Sequence, residues 1–362
     1  MRAGRLVGVL VLVGCERSAT PPLSAADVRS DVVAVDAVVV DAADAPAVTD
    51  APADGLPACG EGSPLALARC VDGARYQADL ETVAMERPPG NAHWQAVQDL
   101  CASRLAALGF TVERHRYGTG VNVVGVREGT TEPARRVLVG AHYDHIRGCA
   151  GADDNATGVA GALEAARVLA VRSYPRTLVV ACWDEEERGL VGSRAYARRA
   201  RAQGEVVDAY FNFEMIGYVD RAPNSQRLPA GINLVFPAAA REWEERERRG
   251  DFVAAIGNER AAAAMEALER AADRLAFPYI PLRLSAQLMS SPLVGDLRRS
   301  DHASFWDNGF PGIMLTDSSE FRYDRYHCAN GPDLASNLDQ GFARNVVAIT
   351  VAAAAESLGL AP

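Results

Sequence analysis

The chain of 362 residues is 49% apolar and carries a formal charge of −10 at neutral pH. That is enough apolar content for one large α/β domain or two ordinary ones, and the acidic balance excludes the basic face that a nucleic-acid partner requires. The acidity is uneven: residues 16–57 hold eight acidic groups against Arg17 and Arg29, six of the ten net charges, and all 37 basic residues are Arg.

The chain opens MRAGRLVGVLVLVGCERS. Arg2 and Arg5 precede an apolar run, Leu6 to Val13, that is too short to span a bilayer and reads as a secretory signal. Leu12-Val13-Gly14-Cys15 resembles a bacterial lipobox, so the expectation is a signal peptide over 1–14, lipidation of Cys15 and an envelope lipoprotein that meets the membrane only through that anchor. Residues 16–57, rich in Ala, Asp, Val and Pro and without aromatics, offer little to a core and are expected to form an acidic tether.

The folded domain is expected over 58–362. A helix fits 92–108, closed by Gly109, and two β-like stretches follow around a Gly-Thr-Gly turn. Val137 to Ala141 reads as a buried strand that delivers His142 and Asp144 at its C-terminal end, before a Gly-rich loop with Asp153 and Asp154 and a helix over 158–171. The next apolar strand, 177–183, completes a β-α-β unit and ends on Asp184-Glu185-Glu186-Glu187. Four successive carboxylates repel one another; a bound cation, a catalytic need or a solvated helix start would each account for them. A third strand, 206–213, ends on Glu214. Three strands ending in metal-competent residues on one sheet edge are the strongest internal signal for a metal site, because ligands in α/β sheets bind beyond the carboxyl ends of strands. Residues 220–249 read as a surface insertion of helix and loop without assignable chemistry. Further on come a strand (DFVAAIGN), a helix over 260–275, Ser300-Asp301-His302, a strand (GIMLTD), and His327 in a polar loop, followed by Asp333, Asn337 and Asp339 before a C-terminal helix. On its own His327 is either a surface histidine or the residue that completes the site.

Taken together, GAHYDH, GADDNATG, EEERGLVGS, NFEMIG, SDHASFWDNGFP and YH…D…NLD resemble, in order, the motifs of the co-catalytic dizinc exopeptidase family, peptidase family M28, over about residues 60–360. The resemblance implies a three-layer α/β/α fold with a mostly parallel, mixed and twisted sheet. It also implies two zinc ions: His142 binds one, Asp154 bridges both, Glu187 and His327 hold the second, and Glu214 joins His142 on the first. Glu186 matches the general base and Asp144 the carboxylate that orients His142. Asp153, Asp184 and Glu185 match no required role; Asp301 and His302 are expected to brace the site wall by hydrogen bonds; His93, His115 and His145 read as exposed or hydrogen-bonded. The departure is Glu214, where many family aminopeptidases have Asp.

The implied activity is release of N-terminal residues from peptides by a monomeric enzyme. A glutaminyl cyclase, which shares the fold but uses one zinc, and a carboxypeptidase are alternatives. A binding module on the same fold should have lost ligands or base, and this chain has all of them. Of seven cysteines, Cys149 and Cys328 flank the ligand loops and are expected to pair. Cys182 lies in a strand and reads as a free thiol, while among Cys59, Cys70 and Cys101 one bridge is expected, involving Cys59, without a choice of its partner.

Overall fold

The computed structural model describes Cys59 and residues 62–361. The expected signal segment, Cys15 and the 16–57 tether lie outside the described residues. Three helices come first, α1 (Pro64–Ala68), α2 (Gly73–Val83) and α3 (Ala92–Ala107). The Asp72 carboxylate accepts from the first N–H groups of α2 and Asn91 does the same for α3. Gly109, at φ +77°, ends α3 in the left-handed conformation that glycine adopts without strain.

The hairpin β1 (Thr111–Tyr117) and β2 (Gly120–Arg127) leads into β3 (Glu132–His142), α4 (Gly158–Leu169) and β4 (Arg176–Trp183). There follow α5 (Val191–Ala202), β5 (Val206–Phe213), α6 (Ile232–Val235), α7 (Pro237–Glu245), β6 (Val253–Asn258), α8 (Ala262–Arg274) and β7 (Tyr279–Leu284). The chain closes through α9 (Ala286–Met289), α10 (His302–Asp307), β8 (Ile313–Thr316) and α11 (Gln340–Ser357). Among the described residues no helix is long and apolar enough to cross a membrane.

One mixed sheet runs β1-β2-β4-β3-β5-β8-β6-β7. Its centre, β4-β3-β5-β8, is parallel, with antiparallel joins of β2 to β4 and of β6 to β8. The alternation of a strand divides the core between two faces. Val137, Val139 and Ala141 of β3 pack with α4 and α11, whereas Leu138 packs with Val179 and Ala181 of β4, Tyr196 of α5 and Phe305 of α10. Helices therefore cover both faces, the expected three layers.

One run differs from the sequence reading and one was not read in it. β7 carries Pro281 and lies at the edge of the sheet, pairing with β6 alone, the position at which a strand tolerates proline. The 220–249 insertion is not merely a surface feature: Ile232 of α6, Trp243 of α7 and Phe236 between the two helices wall an apolar cavity.

Candidate metal centre

Because β3, β4 and β5 are parallel neighbours, their last residues share one edge. β3 ends on His142, β4 runs into Asp184 to Glu187, and β5 into Glu214. The chain turns sharply there, with Glu185 (φ +54°), Met215 (φ +51°) and His327 (φ +52°) in the left-handed region, an uncommon conformation for side-chain-bearing residues that concentrates at functional sites. Asp154 arrives from the turn before α4. Asn155 ties that turn to β5, donating to the Phe213 carbonyl at 2.9 Å and accepting from Met215 N at 3.1 Å.

Two groups meet on Asp154. His142 Nε2 lies 3.3 Å from Asp154 Oδ1 and 3.3 Å from Glu214 Oε2. His327 Nε2 lies 3.2 Å from Asp154 Oδ2 and 3.1 Å from Glu187 Oε2. One carboxylate thus turns one oxygen to each histidine. Neither ring nitrogen has a hydrogen-bond partner, which a packed polypeptide avoids unless something else fills the space between them. Two ligand atoms about 2.0–2.1 Å from a tetrahedral zinc lie about 3.3 Å apart, so the donor set fits a metal. Its electrostatics agree. Against burial, His145, His142 and His327 hold the Asp154 carboxyl well below its usual range, and Asp154 and Glu187 push the His327 imidazole up to about 10. Burial, reinforced by Glu214, Asp301 and Glu187, holds the Glu186 carboxyl well above its usual range. Such an excess of buried carboxylates calls for cations.

The model of peptidase family M28 matches residues 122–354. The chain belongs to peptidase family M28. Among relatives, it is 33% identical to the uncharacterized protein YfbL of Escherichia coli K12 over 206 residues, 53% of this chain and 58% of that one. It is 28% identical to a probable zinc metalloprotease of Pyricularia oryzae over 249 residues, 64% and 49%. The chain thus spans about half the length of these curated relatives. The fold is shared with LapA of Legionella pneumophila, TM-score 0.61 at 18% identity, covering 87% of this chain and 80% of that one. It is shared as well with the glutaminyl cyclase of Porphyromonas gingivalis, TM-score 0.55 at 18% identity, covering 79% and 98%.

In this M28 chain the supporting residues are as informative as the donors. Asp144 lies behind His142, its carboxylate 3.6 Å and its backbone carbonyl 3.1 Å from Nδ1. The same carboxylate accepts from the N–H groups of Glu186 at 3.0 Å and Glu187 at 3.3 Å, so it holds the second strand end as well. Asp333 accepts from the N–H groups of Asp153 and Asp154. Ser300 Oγ donates to Glu214 Oε2 at 2.6 Å. Asp153, Asp184 and Glu185 are buried and bind backbone or neighbouring side chains: Asp153 accepts from Gly217 N, Asp184 from Trp94 and Val121, Glu185 from Arg188. A disulfide joins Cys149 to Cys328 and another joins Cys59 to Cys70; Cys101 and Cys182 are buried free thiols.

Three details correct the sequence reading. His302 Nε2 donates to the Leu297 carbonyl, 2.9 Å away, but both Asp301 carboxylate oxygens are buried without a hydrogen-bond partner, and burial pushes that carboxyl up to about 7. His145 is neither exposed nor hydrogen-bonded through its ring: it is fully buried, both ring nitrogens lack partners, and Nδ1 lies 2.8 Å from Glu187 Oε1. His93 and His115 do have partners, the Val83 carbonyl and Asn122. Arg87 escaped the sequence reading altogether. It is fully buried and donates to the backbone carbonyls of Tyr143, Ala150, Gly151 and Asp154, tying both ligand loops to the chain ahead of α3.

The donors open onto a cavity of about 950 Å³ that is continuous with solvent. Asp154, Glu186 and Glu214 border one end, and Ile256, Leu282 and Met314 of the sheet face the insertion helices across it. Arg227 and Arg299 line it too, but Arg299 is ion-paired with Glu320 and Arg227 donates to the Glu320 carbonyl.

Proposed function

We propose that this protein is a dizinc aminopeptidase that hydrolyses the first peptide bond of peptides with an apolar N-terminal residue. The observation that carries the reading is Asp154, whose two oxygens face two separate histidine–carboxylate pairs. His142, Asp154 and Glu214 would hold one ion and Asp154, Glu187 and His327 the other. When bound, such a pair lowers the pKa of a shared water and polarises the scissile carbonyl.

The chain's own residues do the rest. Glu186, next to the ligand Glu187 and bordering the cavity, takes the proton of the attacking water and passes it to the leaving amine. Its raised pKa in the metal-free chain reflects burial among carboxylates, a bias that bound cations reverse. Asp144 fixes the backbone of Glu186 and the ring of His142 together, so base and donor keep one geometry. The apolar cavity receives the first side chain, and the carboxylates at its end favour a substrate ammonium over a carboxylate. The cavity's two arginines are engaged by Glu320, which speaks against a carboxypeptidase. The complete second donor group speaks against a one-zinc cyclase.

Hydrolysis of an aminoacyl-p-nitroanilide panel by wild type and Glu186→Gln tests this, with zinc measured on the same samples. Two zincs per chain, and release that falls by about 10²–10⁴ in the variant while zinc is retained, is the expected result. One zinc with cyclisation of an N-terminal glutamine peptide would replace the reading with the cyclase. The envelope placement is part of the proposal and rests on the leader and on Leu12 to Cys15; metabolic palmitate labelling that persists in Cys15→Ala would refute it.

A further inference from the structure

We infer that the Cys149–Cys328 disulfide positions His327 as a zinc ligand and makes that one metal site sensitive to thiol reductants; the inference rests on the dizinc reading above. The bridge joins the loop ahead of Asp154 to the residue after His327, across 179 residues of sequence. Its two ends are anchored very differently.

The Cys149 end is fixed. Cys149 is buried, and the next two residues, Ala150 and Gly151, give their carbonyls to the buried Arg87 guanidinium at 2.7 and 2.9 Å. The Cys328 end is not. None of residues 324–331 is buried, and the backbone hydrogen bonds there are local: Tyr326 N donates to the Tyr323 carbonyl, Cys328 N to Arg325 and Ala329 N to Tyr326. Beyond the segment, Tyr326 accepts from Arg299 at 3.2 Å and Arg325 donates to Asn337 at 3.3 Å. Yet His327 (φ +52°) and Cys328 (φ +56°) are consecutive residues in the left-handed region, a conformation that side-chain-bearing residues keep only where the surroundings impose it. The bridge imposes it, on the residue beside the ligand. A disulfide that served global stability alone would act through the unfolded chain and leave zinc affinity unchanged; Cys59–Cys70, which spans α1, is the internal control for that case.

The bridge is open to exchange from one side. Cys328 is half-buried and Cys149 is 3% exposed, so an incoming thiolate reaches Cys328 Sγ, forms a mixed disulfide there and expels Cys149. A second reagent thiol attacks the reagent sulfur of that mixed disulfide and releases Cys328, near whose Sγ the Asp333 N–H lies at 3.4 Å. Two reagent thiols are oxidised to one disulfide, the protein disulfide is reduced to two thiols, and the protons that the reagent loses end on the cysteines. With the bridge open, His327 rides on a loosely tied segment, and ordering it costs zinc affinity. The coupling is reciprocal: the factor by which the bridge tightens that zinc step is the factor by which zinc protects the bridge.

The test has two arms on the full-length protein. In the first, metal-stripped protein is titrated with zinc against a chromophoric chelator as oxidised wild type, as phosphine-reduced wild type, and as the Cys149→Ser, Cys328→Ser double variant. Oxidised wild type should bind two zincs. Reduction and the double variant should each weaken one step by about 10–100-fold, as loss of an outer support of a metal ligand does, and leave the other within threefold; Cys59→Ser with Cys70→Ser should change neither. In the second arm, wild type is equilibrated in glutathione redox buffers with free zinc clamped at zero or at saturation, and each cysteine is scored by maleimide labelling and peptide mass. Saturating zinc should move the Cys149–Cys328 midpoint toward the reductant by the factor found in the first arm, with Cys59–Cys70 unmoved. Two unchanged steps in the double variant, an equal fall in both steps, or zinc that promotes reduction because the freed thiols take the metal, would each overturn the inference and leave the dizinc reading intact. Fewer than two zincs on oxidised wild type would overturn both. If the double variant fails to fold, the midpoint shift on wild type decides alone.

Discussion

Arg87 Nε donates to the backbone carbonyl of Tyr143 at 2.8 Å, and Tyr143 is the residue between His142 and Asp144. From the same guanidinium, Nη1 reaches the Ala150 carbonyl at 2.7 Å, and Nη2 reaches Gly151 at 2.9 Å and Asp154 at 3.2 Å. One buried side chain thus sets the separation of the loops that carry His142 and Asp154. Burial pushes its pKa down to about 10, against the pull of Asp154 and Asp144, so it keeps its charge at neutral pH. Arg87→Met would take the guanidinium donor from the Tyr143, Ala150 and Asp154 carbonyls and leave Gly151 only its bond from Ala156 N, at about 1–3 kcal/mol for each buried group left unpaired. Urea unfolding of the metal-free protein should show a loss of at least about 3 kcal/mol. Arg87→Lys, with a point charge in place of the planar fork, should fall between. A loss under about 1 kcal/mol in Arg87→Met would mean that the loops hold themselves.

The contrast between Arg87 and His142 shows what the chain discloses as text. His142, Glu187 and Glu214 sit at or just past the ends of apolar strands, and Asp154 in the Gly-rich loop that follows the first of them; a strand end is visible as a change in residue type. Arg87 acts on backbone carbonyls, which every residue has, so MERPPG contains no sign of its targets. His145 was misjudged for a related reason: the direction of its ring depends on the Arg87 carbonyl and on the room left at Gly151, both remote in pattern from GAHYDH. The central strands β3, β4 and β5 were legible because each holds an apolar run. β7 was not, because Pro281 is tolerable only on an edge, and edge position is a property of the assembled sheet.

Ser300 Oγ donates to Glu214 Oε2, the same oxygen that faces His142 Nε2. Ser300 is itself held by Asn212 at 2.7 Å. Removing the hydroxyl frees a long carboxylate to rotate. Ser300→Ala should weaken one zinc step by about 10–100-fold, as loss of such an outer contact does, with the other step unchanged. Chelator competition measures both; equal affinities in variant and wild type would show that Glu214 is positioned by other contacts.

Ala254 and Ile256 of β6 line the cavity beside Met314 of β8. Ala254→Phe places a ring in that space without removing a donor or the base. If the cavity holds the first side chain, kcat/KM for leucyl and phenylalanyl p-nitroanilides should fall by at least about 10–200-fold, the range for a single methylene of misfit. The alanyl substrate should change less than threefold. A uniform fall across the panel would point to a general disturbance of the site and would refute the cavity as the specificity determinant.

His115 provides an acid-sensitive element away from the metal centre. It is buried on β1, with Nδ1 3.0 Å from the Asn122 amide nitrogen. Burial and then Arg199 lower its pKa to about 4, against Glu113. The unfolded chain takes up this proton near pH 6.5 and the folded chain only near 4, so its contribution to stability is complete above pH 6.5 and is lost as pH falls toward 4. The effect is about 2 kcal/mol by pH 4.5, discounted for partial solvent screening. Metal-free wild type and His115→Gln should therefore differ in how much stability they lose between pH 7 and pH 4.5, with wild type losing about 2 kcal/mol more. Taking the difference between the two proteins cancels the carboxylates common to both. Equal losses would show that the imidazole is protonated in the folded protein, with Glu113 as its counter-charge.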